Sequence, residues 1–142
     1  MESRLNPYIR FNGNARQAME FYQEVFGGKL EIGTIADFGA PDSPAADKVM
    51  HAQLDTANGH TLMACDVDGQ VEDAPHSPGN NVAVYLGGDG ELREYFEKLS
   101  VGGTVTMPLE KQLWGDEAGA LVDQFGISWM FNITLPSEPL AG

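Results

Sequence analysis

The stretch F11-N-G-N-A-R-Q-A-M-E-F-Y-Q-E-V-F-G-G28 lies on L86-G-G-D-G-E-L-R-E-Y-F-E-K-L-S-V-G-G103 without a gap, at an offset of 75 residues. Self-similarity at a fixed offset constrains a fold strongly, because each copy must build the same supersecondary unit. The offset equates Gly13 with Gly88, Asn14 with Asp89, Phe21 with Phe96 and Gly27-Gly28 with Gly102-Gly103. Identity is otherwise low, but the matching residues are those that begin, seat and end a helix. Asn14 and Asp89 are N-cap types whose side-chain oxygens can accept from the free amides of a first turn, and Gln17 completes a capping-box pattern. Ala18, Phe21, Tyr22 and Val25 make one apolar stripe, and Leu92, Tyr95, Phe96 and Leu99 make another. The glycine pairs can take left-handed C-cap geometry.

Each helix follows an alternating run, Leu5 to Phe11 or Asn81 to Gly87. Each precedes three more: Lys29 to Asp37, Val49 to Ala57 and His60 to Cys65 in the first copy, and Gly103 to Met107, Gly119 to Asp123 and Ile127 to Thr134 in the second. Asn58-Gly59 is a two-residue hairpin signal. The predicted class is α+β, one domain over residues 1–142 made of two tandem βαβββ modules, about 1–66 and 80–135, with a linker over 67–79 and a tail over 136–142. The polar linker and the loop F38-G-A-P-D-S-P-A-A-D-K48 are rich in Pro, Gly, Asp and Ser, and loops of that length are lids or merely mobile. Asp66, Asp68, Glu72 and Asp73 lack EF-hand spacing and read as a solvated acidic linker rather than a calcium site.

A helix with one apolar stripe covers one face of its own sheet. Ile9, Phe11, Met50, Leu54, Val82, Val84, Leu86, Trp129, Phe131 and Ile133 are therefore expected to face helices. Alternation then fixes the other face, which carries Asn6, Tyr8, Arg10, His51, Gln53, Asp55, Thr61, Met63, Cys65, Asn81, Ala83, Tyr85, Ser128, Met130 and Asn132. That mixture of amide, imidazole, aromatic and thioether groups is neither a dry core nor a Lys/Glu solvent face; it suits a cleft lining. Trp114, in the glycine-containing connection L113-W-G-D-E-A-G119, is either a lid over such a cleft or a plug beneath the loop.

Charge restricts what a cleft of this kind would take. Eight Lys plus Arg against 21 Asp plus Glu give a formal net charge of -13, which repels phosphate backbones and anionic membrane surfaces and favours a small neutral or cationic ligand. The single cysteine, Cys65, excludes an internal disulfide. The N-terminus lacks an apolar signal core, and no apolar run approaches the roughly 20 residues that span a bilayer. A soluble, cytoplasmic protein is the expectation.

The duplicated module, together with L5-N-P-Y-I-R-F-N-G-N-A-R-Q-A-M-E-F-Y, D47-K-V-M-H-A-Q-L, G59-H-T-L-M-A, V105-T-M-P-L-E-K-Q-L-W-G and D123-Q-F-G-I-S-W-M-F-N-I, resembles the PhnB-like branch of the vicinal oxygen chelate superfamily. That superfamily includes glyoxalases, extradiol dioxygenases, fosfomycin-resistance enzymes and metal-free bleomycin-binding proteins. The resemblance covers nearly the whole chain. It implies that the strands form a curved, partly closed eight-stranded sheet around a cleft, with the helices outside, and that the chain is a homodimer with intrachain or swapped module pairing. It also places the metal-ligand positions of metal-dependent members at Asn6, Met63, Asn81 and Met130. Neutral amides and thioethers bind hard or borderline divalent ions poorly, so no metal and no cofactor are expected.

Other signatures are missing from the sequence: no G-x-G-x-x-G follows a strand, and there is no Walker loop, nucleophile elbow or Cys-x-x-Cys. His51 is the sole candidate acid–base group, sharing a strand face with Asp55, and is otherwise a ligand-binding or structural hydrogen-bonding residue. Cys65 reads as a small apolar filler, and His60 and His76 as exposed. Two readings of function follow. In one, a metal-free binding protein uses Tyr8, Met63, Trp114 and Met130 for contact and His51, Gln53, Asn81 and Asn132 for orientation. In the other, an enzyme of the superfamily, a lyase, isomerase or group-transfer catalyst, uses an atypical metal site or His51.

Overall fold

The computed structural model describes residues 3–66 and 82–135. The chain divides into two units, residues 1–77 and 78–142. The first contains β1 (Tyr8–Phe11), α1 (Ala15–Phe26), β2 (Lys29–Thr34), β3 (Val49–Asp55) and β4 (Thr61–Asp66); the second contains β5 (Val84–Gly88), α2 (Leu92–Ser100), β6 (Thr104–Lys111), β7 (Glu117–Val122) and β8 (Ser128–Ile133). Each unit is a four-stranded mixed sheet, ordered β1-β4-β3-β2 or β5-β8-β7-β6. In both, the strand before the helix runs parallel to the last strand, and the other neighbours are antiparallel. The α+β class and the βαβββ repeat are both present. No helix among the described residues is long and apolar enough to cross a membrane.

In the first unit Ala15, Ala18, Met19, Tyr22, Val25 and Phe26 are the buried stripe of α1, recurring every three or four residues as one helix face requires. It covers Ala52, Leu54, Leu62 and Ala64 of the sheet, all buried. In the second, Leu92, Phe96 and Leu99 of α2 are buried with Leu121, Trp129, Phe131 and Ile133, and the Phe96 and Phe131 rings meet edge to face at 5.3 Å. Phe21 and Tyr95 sit at the margins of their stripes, half-buried.

Several local expectations give way to tertiary structure. Met50 is exposed and Val49 takes its place in the core. Gly33 pairs with His51 and Thr34 with Val49, so Met50 is the extra residue of a β-bulge and alternation breaks there. Val82, 79% exposed, precedes the ladder, which begins where Val84 pairs with Trp129. The β3–β4 connection is a three-residue loop rather than a two-residue one: Thr56 N donates to the His60 carbonyl at 2.8 Å, Gly59 N to the Thr56 carbonyl at 3.0 Å, and Gly59 takes φ 85°. Glycine at that position lets a loop based on a type I turn match the strand twist.

Helix capping also comes from elsewhere. The Asn14 side chain makes no cap bond. Asp66, at the end of β4, accepts from the Ala15 amide through Oδ1 at 2.9 Å and from the Val49 amide through Oδ2 at 3.0 Å. It is buried, not part of a solvated acidic linker; Asp68, Glu72 and Asp73 lie outside the described residues. A buried carboxylate shared between a helix start and a strand start ties three elements together. Asp89 acts one turn early, its Oδ1 accepting from Glu91 N at 3.1 Å before α2 begins at Leu92. Among the described glycines, Gly28 (φ 99°) has the strictest requirement, since a Cβ there would lie 2.0 Å from the Asp55 carbonyl oxygen.

Asp66→Asn keeps the volume but leaves one backbone amide facing an amide NH2 instead of an acceptor. It is expected to cost about 1 to 3 kcal/mol, read as a lower urea midpoint with an unchanged m-value.

Candidate functional site

The face of each sheet away from its helix carries the polar and aromatic residues, and strand register decides which of them meet. In the first unit Tyr8 lies opposite Met63 across the β1–β4 ladder, and Met63 lies opposite Gln53 across the β3–β4 ladder. Side chains two apart on a strand share a face, so His51 and Asp55 flank Gln53, and Arg10 and Cys65 form the neighbouring row. Tyr8 leans along this surface until its Oη is 3.2 Å from His51 Nδ1, with ring centroids 5.7 Å apart. Partial burial, followed by the charge and hydrogen bond of the adjacent Cys65, pushes the Tyr8 hydroxyl up to about 12, so the phenol keeps its proton at neutral pH. Gln53 Nε2 donates to both Asp55 oxygens at 3.2 Å, and Thr61 Oγ1 donates to Asp55 Oδ1 at 3.0 Å. These bonds orient the Gln53 amide.

Phe38 joins this face. Gly33 stands opposite His51 in the β2–β3 ladder, and a Cβ on Gly33 would lie 2.5 Å from the Phe38 ring. The ring occupies the space that a side chain beside His51 would fill. Its loop is held at the base by Ile35 N donating to the Lys48 carbonyl at 3.0 Å and Ala36 N to the Ala46 carbonyl at 2.9 Å.

In the second unit Tyr85 lies opposite Met130, and Gly87 opposite Asn132. Tyr85 folds over Gly87, where a Cβ would be 2.9 Å from its Oη. Trp114 does not plug the core; it is 62% exposed. Its Nε1 donates to Asn132 Oδ1 at 3.1 Å, and Asn132 Nδ2 donates to Asp116 Oδ2 at 3.0 Å. The Trp114 loop closes through Gln112 N to the Asp116 carbonyl at 2.7 Å, and the two bonds to Asn132 fix both the amide and the indole. Met130 borders Ala120 on its other side, a small neighbour that leaves it 46% exposed.

Of the residues expected at the site, Tyr8, His51, Gln53 and Met63 therefore converge on one sheet face, and Trp114, Met130 and Asn132 on the other unit's. Asn81 lies outside the described residues, as does His76; His60 is exposed. Cys65 is half-buried beside Tyr8 rather than a core filler. The 75-residue repeat puts Ala83 at the position of Tyr8, yet Met130 faces Tyr85. The second ladder is thus displaced by two residues, an even slip that keeps every side chain on its face. Phe38 was missing from the expected face, and Tyr85, expected on it, was not among the expected contact residues; each has a sequence signal in a strand glycine, which marks a close approach by another group.

The same registers place the positions that the resemblance assigns to a metal. Met63 sits between Tyr8 and Gln53, Met130 between Tyr85 and Ala120, and Asn6 just before β1. Among the described residues no three His, Cys, Asp or Glu side chains are grouped to hold an ion. Thioether and amide donors do not fit a hard divalent metal.

Residues 3–132 match the family described as 3-demethylubiquinone-9 3-methyltransferase. The chain belongs to this family. Among solved structures, the PhnB-like fold is shared with protein PA1353 from Pseudomonas aeruginosa at 33% identity and a TM-score of 0.80, covering 93% of this chain and 98% of that one. A PhnB protein from Bacillus cereus, described as a putative 3-demethylubiquinone-9 3-methyltransferase, is 26% identical with a TM-score of 0.69, covering 93% of this chain and all of that one (100%). A glyoxalase-related enzyme from Fulvimarina pelagi, 18% identical over 94% of this chain and 89% of its own with a TM-score of 0.63, shares the fold.

Proposed function

We propose that this PhnB-like protein is a metal-free binder of a small neutral or cationic molecule, held on the open sheet faces. The observation that carries the reading is the matched Tyr–Met pair on each sheet, Tyr8 with Met63 and Tyr85 with Met130. Flat and polarizable groups of this kind give contact area, while the oriented amides of Gln53 and Asn132 and the His51 imidazole give direction. The formal charge of -13 favours a neutral or cationic ligand over an anion. Among the described residues β1 and β2 are the outer strands of one sheet and β5 and β6 of the other, and edge strands of this kind support a homodimer that covers some of them.

Chelator is expected to leave the thermal midpoint unchanged, and added zinc or nickel not to raise it, because a ligand stabilises only in proportion to its affinity for the folded state. Thermal-shift measurements and metal analysis of protein purified without chelator check this. Stoichiometric bound metal, or a rise of several degrees at low metal concentration, would overturn the metal-free reading.

The contact between Tyr8 and His51, with Cys65 alongside, favours a second reading, in which His51 moves a proton as the acid–base group of an enzyme. Turnover of a bound compound that is lost in His51→Gln while binding persists would select it.

A further inference from the structure

We infer that Tyr8 holds His51 in its Nε2–H form, so that the imidazole edge offered to a ligand is a hydrogen-bond donor and the bound molecule carries an acceptor oxygen there. This rests on the binding reading and specifies the ligand chemistry at one point of the same face. A neutral imidazole has one N–H and one acceptor nitrogen, and the partner of one nitrogen decides which is which. Tyr8 Oη, 3.2 Å from Nδ1, has a single proton to give. Among the described residues, its neighbours are the His51 nitrogen and the Cys65 sulfur. A thiol sulfur is a weak acceptor and an imidazole nitrogen a strong one, so the proton goes to Nδ1. Nδ1 is then the acceptor and the ring proton stands on Nε2.

The elements on either side keep this contact in place. Tyr8 is seated against Met63 by the β1–β4 register, with Met63 N donating to the Pro7 carbonyl at 3.1 Å. His51 is seated against Gly33, whose vacant side-chain space Phe38 fills. A ligand lying on this aromatic surface meets a fixed donor at His51. A ketone, ether or similar acceptor complements it; an N–H donor does not, because it would leave two donors facing one another.

Imidazole nitrogen resonances of the full-length 15N-labelled protein at about pH 8 read the tautomer directly, with His51 assigned by its loss in His51→Gln. The expected result is a predominantly Nε2–H pattern for His51 that moves toward the mixture shown by exposed His60 in Tyr8→Phe. An Nδ1–H pattern in the wild type, or no change in Tyr8→Phe, would overturn the inference. Titration with acetophenone, an aromatic ketone, is expected to move the His51 Nε2 signal, whereas its non-accepting isostere ethylbenzene leaves it in place. Equal movement with both counts against the donor role. No movement with either, while the tautomer is as expected, counts against the binding reading instead.

Discussion

Trp129→Ala is expected to lower the unfolding free energy by about 3 to 5 kcal/mol. Trp129 is 1% exposed and lies between Val84 and Leu121 in the middle of the second sheet, so truncation leaves a large void that rigid neighbours cannot fill. It also removes a donor, because Nε1 gives its proton to Asp123 Oδ2 at 2.9 Å. Asp123 is itself buried, with Oδ1 accepting from Phe125 N at 2.8 Å and Ile127 N at 3.1 Å. The carboxylate organises the β7–β8 turn, and the indole holds it there. Trp129→Phe separates the contributions: it keeps most of the ring and loses the donor, with an expected cost of about 1 to 3 kcal/mol. Urea unfolding of both variants checks the order. A loss below about 1 kcal/mol for Trp129→Ala would mean that this residue does not anchor the second sheet.

Leu54→Ala and His51→Ala, on opposite faces of β3, are expected to behave in opposite ways. Leu54 is fully buried under α1, and its truncation should cost about 2 to 5 kcal/mol through the cavity left behind. His51 is on the open face, and its loss should leave stability within about 0.5 kcal/mol, because Val49, Ala52 and Leu54 still seat the strand. Ligand affinity should respond in the reverse sense: a lost hydrogen bond of about 0.5 to 1.5 kcal/mol is roughly a two- to tenfold weakening. If His51→Ala unfolds the protein as severely as Leu54→Ala, the polar face is structural and the site assignment fails.

These experiments separate the two faces of one strand, and the faces were not equally legible beforehand. The core face follows from spacing: Ala52, Leu54, Trp129, Phe131 and Ile133 are buried where alternation puts them. Spacing failed at Met50, because a bulge is a property of two paired strands and one strand's pattern does not contain it. It also failed at Val82, which retains the alternation but lies before the first ladder pair. Asn14 was a sound local cap candidate, but Asp66 supplies the bond from 51 residues away. A buried carboxylate accepting two amides also satisfies the start of β3, and only a contact between distant segments can do both.

The candidate site divides along the same line. Its composition could be read from residues on alternate positions, including Tyr8, His51, Gln53, Met63, Met130 and Asn132. Their pairing could not, since a two-residue displacement of one ladder brings Tyr85 rather than Ala83 to Met130 without altering the alternation. Phe38 reaches His51 only because a loop folds back onto Gly33. The α+β class, the duplicated βαβββ order, the helix stripes and the face of most strand residues, Met50 excepted, follow from the chain alone, because they depend on periods of 3.6 and 2 residues and on local turn chemistry. Tertiary structure alone decided the bulge at Met50, the capping by Asp66, the ladder registers and the contacts of Tyr8 with His51 and Trp114 with Asn132. Those depend on which distant segments come together, and the energy that selects among registers of equal parity resides in the packed contacts themselves.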